Sequence, residues 1–159
     1  MVLFDTQFSR IYRVLDRISA DSDLAADLAQ EAFIKLYRRG SMPDTPEAWL
    51  ITVALNLFRN VHSTGKRRRR LLAREYPGRA KAIAAPNDSA TDASRRKVRA
   101  VLAGLPERDR QILVLQAEGF RYSEIASTLG LHEGSVGVFL ARARRAFRQL
   151  YGEASDASG

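Results

Sequence analysis

The chain has 159 residues, no cysteine, 45% hydrophobic residues and a formal net charge of +8, which is enough for one ordinary domain or two small ones. The lack of cysteine excludes a disulfide-stapled secreted scaffold and a Cys-based zinc site, and the two histidines, His62 and His132, lie far apart in sequence, so no metal or other cofactor is expected. No apolar run is long enough to span a bilayer and residues 1–10 lack the pattern of a signal peptide, so a cytoplasmic protein without membrane insertion is expected. The positive balance raises nucleic acid as a partner.

Phe4, Phe8, Ile11, Tyr12, Leu15 and Ile18 recur at spacings of three and four, one face of an amphipathic helix. The residues Asp21, Ser22 and Asp23 supply N-cap candidates for a second helix that carries Leu24, Leu28, Phe33, Leu36 and Tyr37 and stops at Gly40. Its polar residues include Asp27, Gln30, Glu31 and Lys35, whose plainest role is to solvate a surface. Residues 40–44 are loop chemistry. Thr45 and Pro46 then read as an N-cap and a first-turn proline, and the third helix carries Trp49, Leu50, Val53, Ala54, Leu57 and Val61 inward. Trp49 at helical spacing is expected in the core. Residues 1–65 are predicted to form a three-helix bundle.

The charge is unevenly placed. Residues 1–65 hold seven basic and eight acidic side chains, residues 66–100 hold twelve and three, and residues 101–159 hold seven and seven. The excess centres on Lys66, Arg67, Arg68, Arg69 and Arg70, followed by an Ala-rich stretch with Pro77, Gly78, Pro86 and Asn87 and no sustained apolar period. Residues 66–93 are read as a flexible basic linker; a merely solvated charge block is the simpler alternative.

The second unit, residues 94–152, starts with Ser94 as a cap for a helix carrying Val98, Val101, Leu102 and Leu105. Pro106 opens another helix, with Ile112, Leu113 and Leu115, that ends near Gly119. Ile125 and Leu129 then stand at i, i+4; Ala126 is small where helices cross; and Gly130 suits a left-handed turn. Leu131, Val136 and Leu140 bury the helix that follows, from about residue 133 to 151, with Arg142, Arg144, Arg145 and Arg148 on its far half. This is helix-turn-helix spacing, with a plain αα-hairpin as the alternative. His132 is a surface residue at a helix start. Residues 153–159 are short and polar, and a frayed, disordered tail is expected. The fold class is all-α: two small helical domains joined by a flexible basic linker.

Three motifs in order resemble bacterial RNA polymerase sigma factors of the sigma-70 family. Asp27-Leu28-Ala29-Gln30-Glu31-Ala32-Phe33-Ile34-Lys35-Leu36-Tyr37-Arg38 resembles region 2.2. Pro46-Glu47-Ala48-Trp49-Leu50-Ile51-Thr52-Val53-Ala54-Leu55-Asn56 resembles the start of region 2.4, and Leu105-Pro106-Glu107-Arg108-Asp109-Arg110 with the helix-turn-helix resembles region 4. With no room for regions 1.1 and 3, the likeness is to the extracytoplasmic-function (ECF) group, and it covers residues 8–151.

The resemblance implies binding rather than catalysis, and no loop gathers the nucleophile, base and metal ligands of an enzyme. It implies that Asp27, Gln30, Glu31 and Lys35 dock on the clamp helices of the largest subunit of core RNA polymerase. It implies that the first unit reads and melts the −10 element, with a base flipped into the loop of residues 40–44. Met42 offers an apolar face there, Asp44 and Asn56 offer polar edges, and Arg59, Asn60 and His62 follow on the same helix. Lys66, Arg67, Arg68, Arg69 and Arg70 would meet the polymerase interior and its nucleic acid. Ser135, Val138, Phe139, Arg142, Arg144 and Arg145 would read the −35 element in the major groove, with this unit near the flap of the second-largest subunit. An anti-sigma factor is a further partner the family implies.

The chain departs from the family pattern at several places. Leu55 stands where Arg is common, Asn60 where Asp is common, and Ala26 where Glu precedes the region 2.2 Asp. Gly137 and Phe139 replace two basic residues of the recognition helix, so relaxed or altered −35 recognition is expected, since a good bidentate base contact is worth ~1–3 kcal/mol. Two other functions compete: a free-standing helix-turn-helix regulator and a helical adaptor that binds no DNA. About four phosphate contacts give a salt slope of only about −3.6, which favours a protein held on DNA by polymerase.

Overall fold

The computed structural model describes residues 2–75 and 89–158, with side chains described for residues 4–61, 63 and 92–156. Among the described residues there are seven α-helices and no strand: α1 (Val2–Ser19), α2 (Ser22–Arg39), α3 (Pro46–Glu75), α4 (Ser89–Gly104), α5 (Glu107–Ala117), α6 (Tyr122–Leu129) and α7 (Val136–Ser158), with a single 3₁₀ turn, Glu133–Ser135, ahead of α7. None of the helices described is long and apolar enough to cross a membrane.

Helices α1, α2 and α3 pack on one another as a three-helix bundle. Asp21 caps α2, its Oδ1 accepting from the Leu24 N–H at 3.1 Å, and Gly40 ends the helix in a left-handed turn at φ 76°. The bundle core is Ile11, Val14, Leu15 and Ile18 of α1, Ala25, Leu28, Ala29 and Ala32 of α2, and Leu50, Ile51, Ala54, Leu55 and Phe58 of α3. The alanines let α2 lie close against its neighbours, because the interaxial distance is set by the side chains at the contact.

This core corrects the third helix. The predicted inward face, Trp49 to Val61, is turned by roughly 90° at 100° per residue. Leu55 and Phe58 are buried, whereas Trp49 is half-buried and Val61 is exposed. The cause is tertiary: α3 also packs against α6 of the second unit, so its apolar face must serve two neighbours. Tyr37, expected inward on α2, is 89% exposed.

The second unit packs α4 through α7 around Val101, Leu102, Leu105, Ile112, Val114, Leu115, Ile125, Val136, Leu140 and Ala143. Burying these side chains is its main source of stability, at ~25 cal/mol per Å² of apolar surface removed from water. Val98, expected inward on α4, is 37% exposed. Arg110 stitches helix ends together, its guanidinium donating to Leu102 O at 2.9 Å, Leu105 O at 3.1 Å and, across the units, Ile18 O at 3.0 Å. Ile18 and Leu102 lie in the last turns of α1 and α4, where carbonyls run out of intrahelical donors, and Leu105 follows α4 directly, its own N–H closing on Leu102 O at 3.1 Å.

At two places the described residues are more helical than expected. The stretch read as a linker, residues 66–93, is helical at both ends, and its residues 76–88 lie outside the described residues. Helix α3 continues through residues 66–70 to Glu75, and α4 begins at Ser89. Lys, Arg, Leu and Ala have high helix propensity without any apolar period. The predicted frayed tail is the last turn of α7, which runs to Ser158. Lys97 of α4 ties that turn down by hydrogen-bonding Ser155 and standing over the Tyr151 ring.

Candidate nucleic-acid interface

On α2 the alanine-lined face is buried and the opposite face is polar. Asp27, Gln30, Glu31 and Lys35 are all exposed, one turn after another. Ile34, at 41% exposure, lies within the same stripe. Helical spacing brings these five side chains together as one surface.

At the C-terminal end of α2 the stripe meets a hollow of about 1020 Å³ lined by Phe4, Phe33, Ile34, Tyr37, Gly40 and Met42. Phe4 and Phe33 meet edge to face at 4.9 Å, and Phe4 stacks on Phe8 at 5.4 Å, which fixes the wall of the hollow. The loop to α3 exposes Met42 (62%) and Asp44, while Trp49 sits half-buried in the first turn of α3 with the Arg39 guanidinium 5.7 Å from its ring. The Trp49 N–H closes that first turn on Thr45 O at 3.0 Å.

Along α3, Asn56, Arg59 and Asn60 are exposed on one face, in register with Thr52 and Ser63. From Pro46, where α3 starts, to Asn60 the rise is about 21 Å at 1.5 Å per residue. That matches roughly six bases at 3.4 Å spacing. The His62 side chain and those of Lys66, Arg67, Arg68, Arg69 and Arg70 lie outside the described residues; their backbone belongs to α3.

The helix-turn-helix is α6, its turn, and α7. Gly130 takes φ 68°, and with Leu131 N–H donating to Ala126 O at 2.8 Å it ends α6. His132 Nδ1 accepts from the Gly134 N–H at 3.2 Å, capping the 3₁₀ turn. Val136, Leu140 and Ala143 face the core. The opposite side of α7 therefore presents Val138 (55% exposed), Arg142, Arg145 and Arg148 as one outward stripe. Arg144 is exposed on the flank and Ser135 is half-buried at the start.

Phe139 stands apart from the other expected −35 residues. Its ring is packed against the core edge, with Arg108 at 5.2 Å and Arg142 at 6.0 Å from the ring centroid. It orients two guanidinium groups, one from the Leu105–Arg110 motif, rather than lying in the outward stripe. A Cβ at Gly137 would meet only Tyr122, at 3.8 Å, so the small residue there is not demanded by packing.

Sequence reasoning missed two things here. The α1 arginines Arg10, Arg13 and Arg17 carry no local motif, yet all three reach Glu118 of the second unit. Thr52 and Thr128, apart by 76 positions, share a hydroxyl hydrogen bond of 3.0 Å. No local signal exists for such pairs.

Comparison with known proteins follows the same division. Residues 3–70 match the family model described as Sigma-70 region 2, and residues 95–147 that described as Sigma-70, region 4. The chain is 33% identical over 155 residues to the ECF RNA polymerase sigma factor SigE of Mycolicibacterium smegmatis, covering 92% of this chain and 59% of that one. It is 31% identical over 134 residues to the ECF RNA polymerase sigma factor EcfG of Rhodopseudomonas palustris, covering 80% and 71%. The chain thus spans less than two thirds of SigE. The fold is similar to that of the sigma factor RpoE of Bartonella quintana, solved in complex with the anti-sigma factor NepR, with a TM-score of 0.70, 22% identity and 91% of each chain covered. With a region 2 bundle, a region 4 helix-turn-helix and relatives of this kind, the chain belongs to the ECF group of the sigma-70 family of RNA polymerase sigma factors.

Proposed function

We propose that the protein binds core RNA polymerase and directs it to promoters, acting in the cytoplasm by recognition and not by catalysis. The observation that carries this reading is the α2 stripe. Asp27, Gln30, Glu31 and Lys35 are exposed together and make no hydrogen bond or ion pair within the described residues, so their pairing capacity is left for a partner. A mixed acidic and amide surface beside Ile34 suits the basic clamp helices of the largest polymerase subunit.

The −10 element is read by Met42 and Asp44 at the loop and by Asn56, Arg59, Asn60 and His62 along α3. The apolar, aromatic-walled hollow beside Met42 offers stacking to an extruded base, which offsets the few kcal/mol that unstacking costs. The −35 element is read by the α7 stripe, with Ser135 and Arg144 at its margins. Phe139 acts by aiming Arg108 and Arg142 at the phosphates. The basic residues 66–70 accompany the nucleic acid inside polymerase. Region 4 rests near the flap of the second-largest subunit, and an anti-sigma factor, as found with RpoE, is a fitting regulator.

A gel shift on promoter duplex with and without core polymerase tests this reading. A shift that requires both proteins is expected. Tight, specific duplex binding by the protein alone would instead make it a free-standing helix-turn-helix regulator.

A further inference from the structure

The start of α7 is chemically bare. From Val136 to Ala141 no side chain carries a hydrogen-bond donor or acceptor. Such side chains stop at Ser135 and resume at Arg142. Val136 and Leu140 enter the core, and Phe139 packs at its edge. Val138, 55% exposed, faces outward, and the exposed methyl group of Ala141 stands beside it at i+3. Tyr122, 45% exposed, opens α6 and lies beside Gly137. Together these residues form an uncharged, largely apolar patch. Arg142, Arg145 and Arg148 follow it along the outward side of the helix.

Gly137 is a second, independent observation. Glycine weakens a helix interior, so its presence needs a reason. Its φ is not left-handed, and a Cβ there would meet only Tyr122, at 3.8 Å, an ordinary contact. Within the described residues neither backbone nor packing demands glycine. The clearance it leaves lies between Tyr122 and Val138, on the side from which an outside group approaches.

The N-terminal residues of a recognition helix meet base edges in the major groove. Every base pair presents donors and acceptors there, and thymine adds a C5-methyl group. A surface without hydrogen-bonding side chains can read the methyl group but not the donors and acceptors. A guanine O6 or a cytosine amino group pressed against it would lose water and gain no partner, which is unfavourable.

We propose that this patch selects thymine in the −35 element by its C5-methyl group, with Val138 as the reading side chain and Gly137 allowing the base edge to approach. Recognition is then altered rather than relaxed at positions 137 and 139. The proposal deepens the promoter-directing function proposed above and rests on it.

The test uses the full chain with core polymerase, on a promoter recovered by run-off transcription. In a set of duplexes, one −35 thymine at a time, on either strand, is replaced by deoxyuridine. The exchange deletes the methyl group and keeps the base pair with its donors and acceptors. Competition gel shift reads binding of the complex. At one or two positions deoxyuridine is expected to raise Kd about fourfold, the ratio for burying one methyl-sized group. Val138→Ala is expected to raise Kd on the thymine duplex and to bring the deoxyuridine-to-thymine ratio to about one, while Val138→Ile keeps the ratio. Gly137→Ala is expected to raise Tm and yet to weaken binding, opposite signs that a merely structural role would not give. Far-UV circular dichroism checks the fold of each variant.

Binding indifferent to every deoxyuridine, on a promoter whose −35 base pairs still matter, overturns the methyl reading and leaves the promoter-directing function standing. A −35 element with no thymine on either strand, or one whose base pairs have no effect, overturns it as well. A thymine preference unchanged in Val138→Ala overturns the role of Val138. Absence of any promoter complex with core polymerase refutes the proposed function itself, and the thymine reading with it.

Discussion

Reversing two charges on α2, Asp27→Arg with Glu31→Arg, is expected to weaken binding to core RNA polymerase by about 100-fold or more while leaving the fold intact. Both side chains are exposed on the polar face of α2 and have no intramolecular partner within the described residues. Exposed substitutions of this kind change stability by only about 0.5 kcal/mol, and arginine is a good helix former. Binding is a different matter. Losing an interfacial hot spot costs about 2 kcal/mol or more, and placing like charges against a basic partner adds several kcal/mol. Fluorescence titration with core polymerase measures the loss, and far-UV circular dichroism checks the helices.

The second large effect lies in the recognition unit. Leu140→Ala is expected to destabilise the protein by about 3 kcal/mol, within the range of 2–5 kcal/mol for a buried leucine. At about 2–4 °C per kcal/mol for a chain of this size, Tm falls by roughly 6–12 °C. Leu140 is 1% exposed, and α7 packs there against α5 and α6, so the lost methyl groups leave a cavity under the helix that carries Arg142 and Arg145. Val138→Ala, on the outward face of the same helix, is the control and is expected to shift Tm by about 1–2 °C at most. Differential scanning calorimetry of the pair reads both.

The helix-turn-helix was legible in the sequence because its constraints are local. Gly130 has to follow Leu129 for the chain to turn left-handed, and Ile125, Val136 and Leu140 fall at helical spacing around it. The exposed α2 stripe was legible for the same reason. The inward face of α3 was legible in part: Leu50 and Ala54 are buried as expected, whereas the side chosen between Trp49 and Val61 on one flank and Ile51, Leu55 and Phe58 on the other is set by the docking of other helices. Buried Ala25, Ala29 and Ala32 escaped a reading that looked for large apolar side chains. The helical ends of the expected linker and the ordered tail were missed because propensity and one tethering lysine, Lys97, made the order. The grip of Arg13 on Glu118 spans 105 positions, and a sequence without a partner structure carries no trace of it. The neighbours of Phe139 were not legible either: its ring lies beside the Arg108 and Arg142 guanidinium groups, the first of them 31 positions away in sequence.

Run-off transcription with core polymerase, with and without this protein, on a genomic promoter library is the most direct measurement of whether these surfaces make a promoter-directing factor. The expected result is a set of transcripts that appears only when both proteins are present and is lost when the shared −10 element is altered, with smaller losses for −35 changes. Transcription that is indifferent to the protein, on templates it nonetheless binds tightly alone, would contradict it.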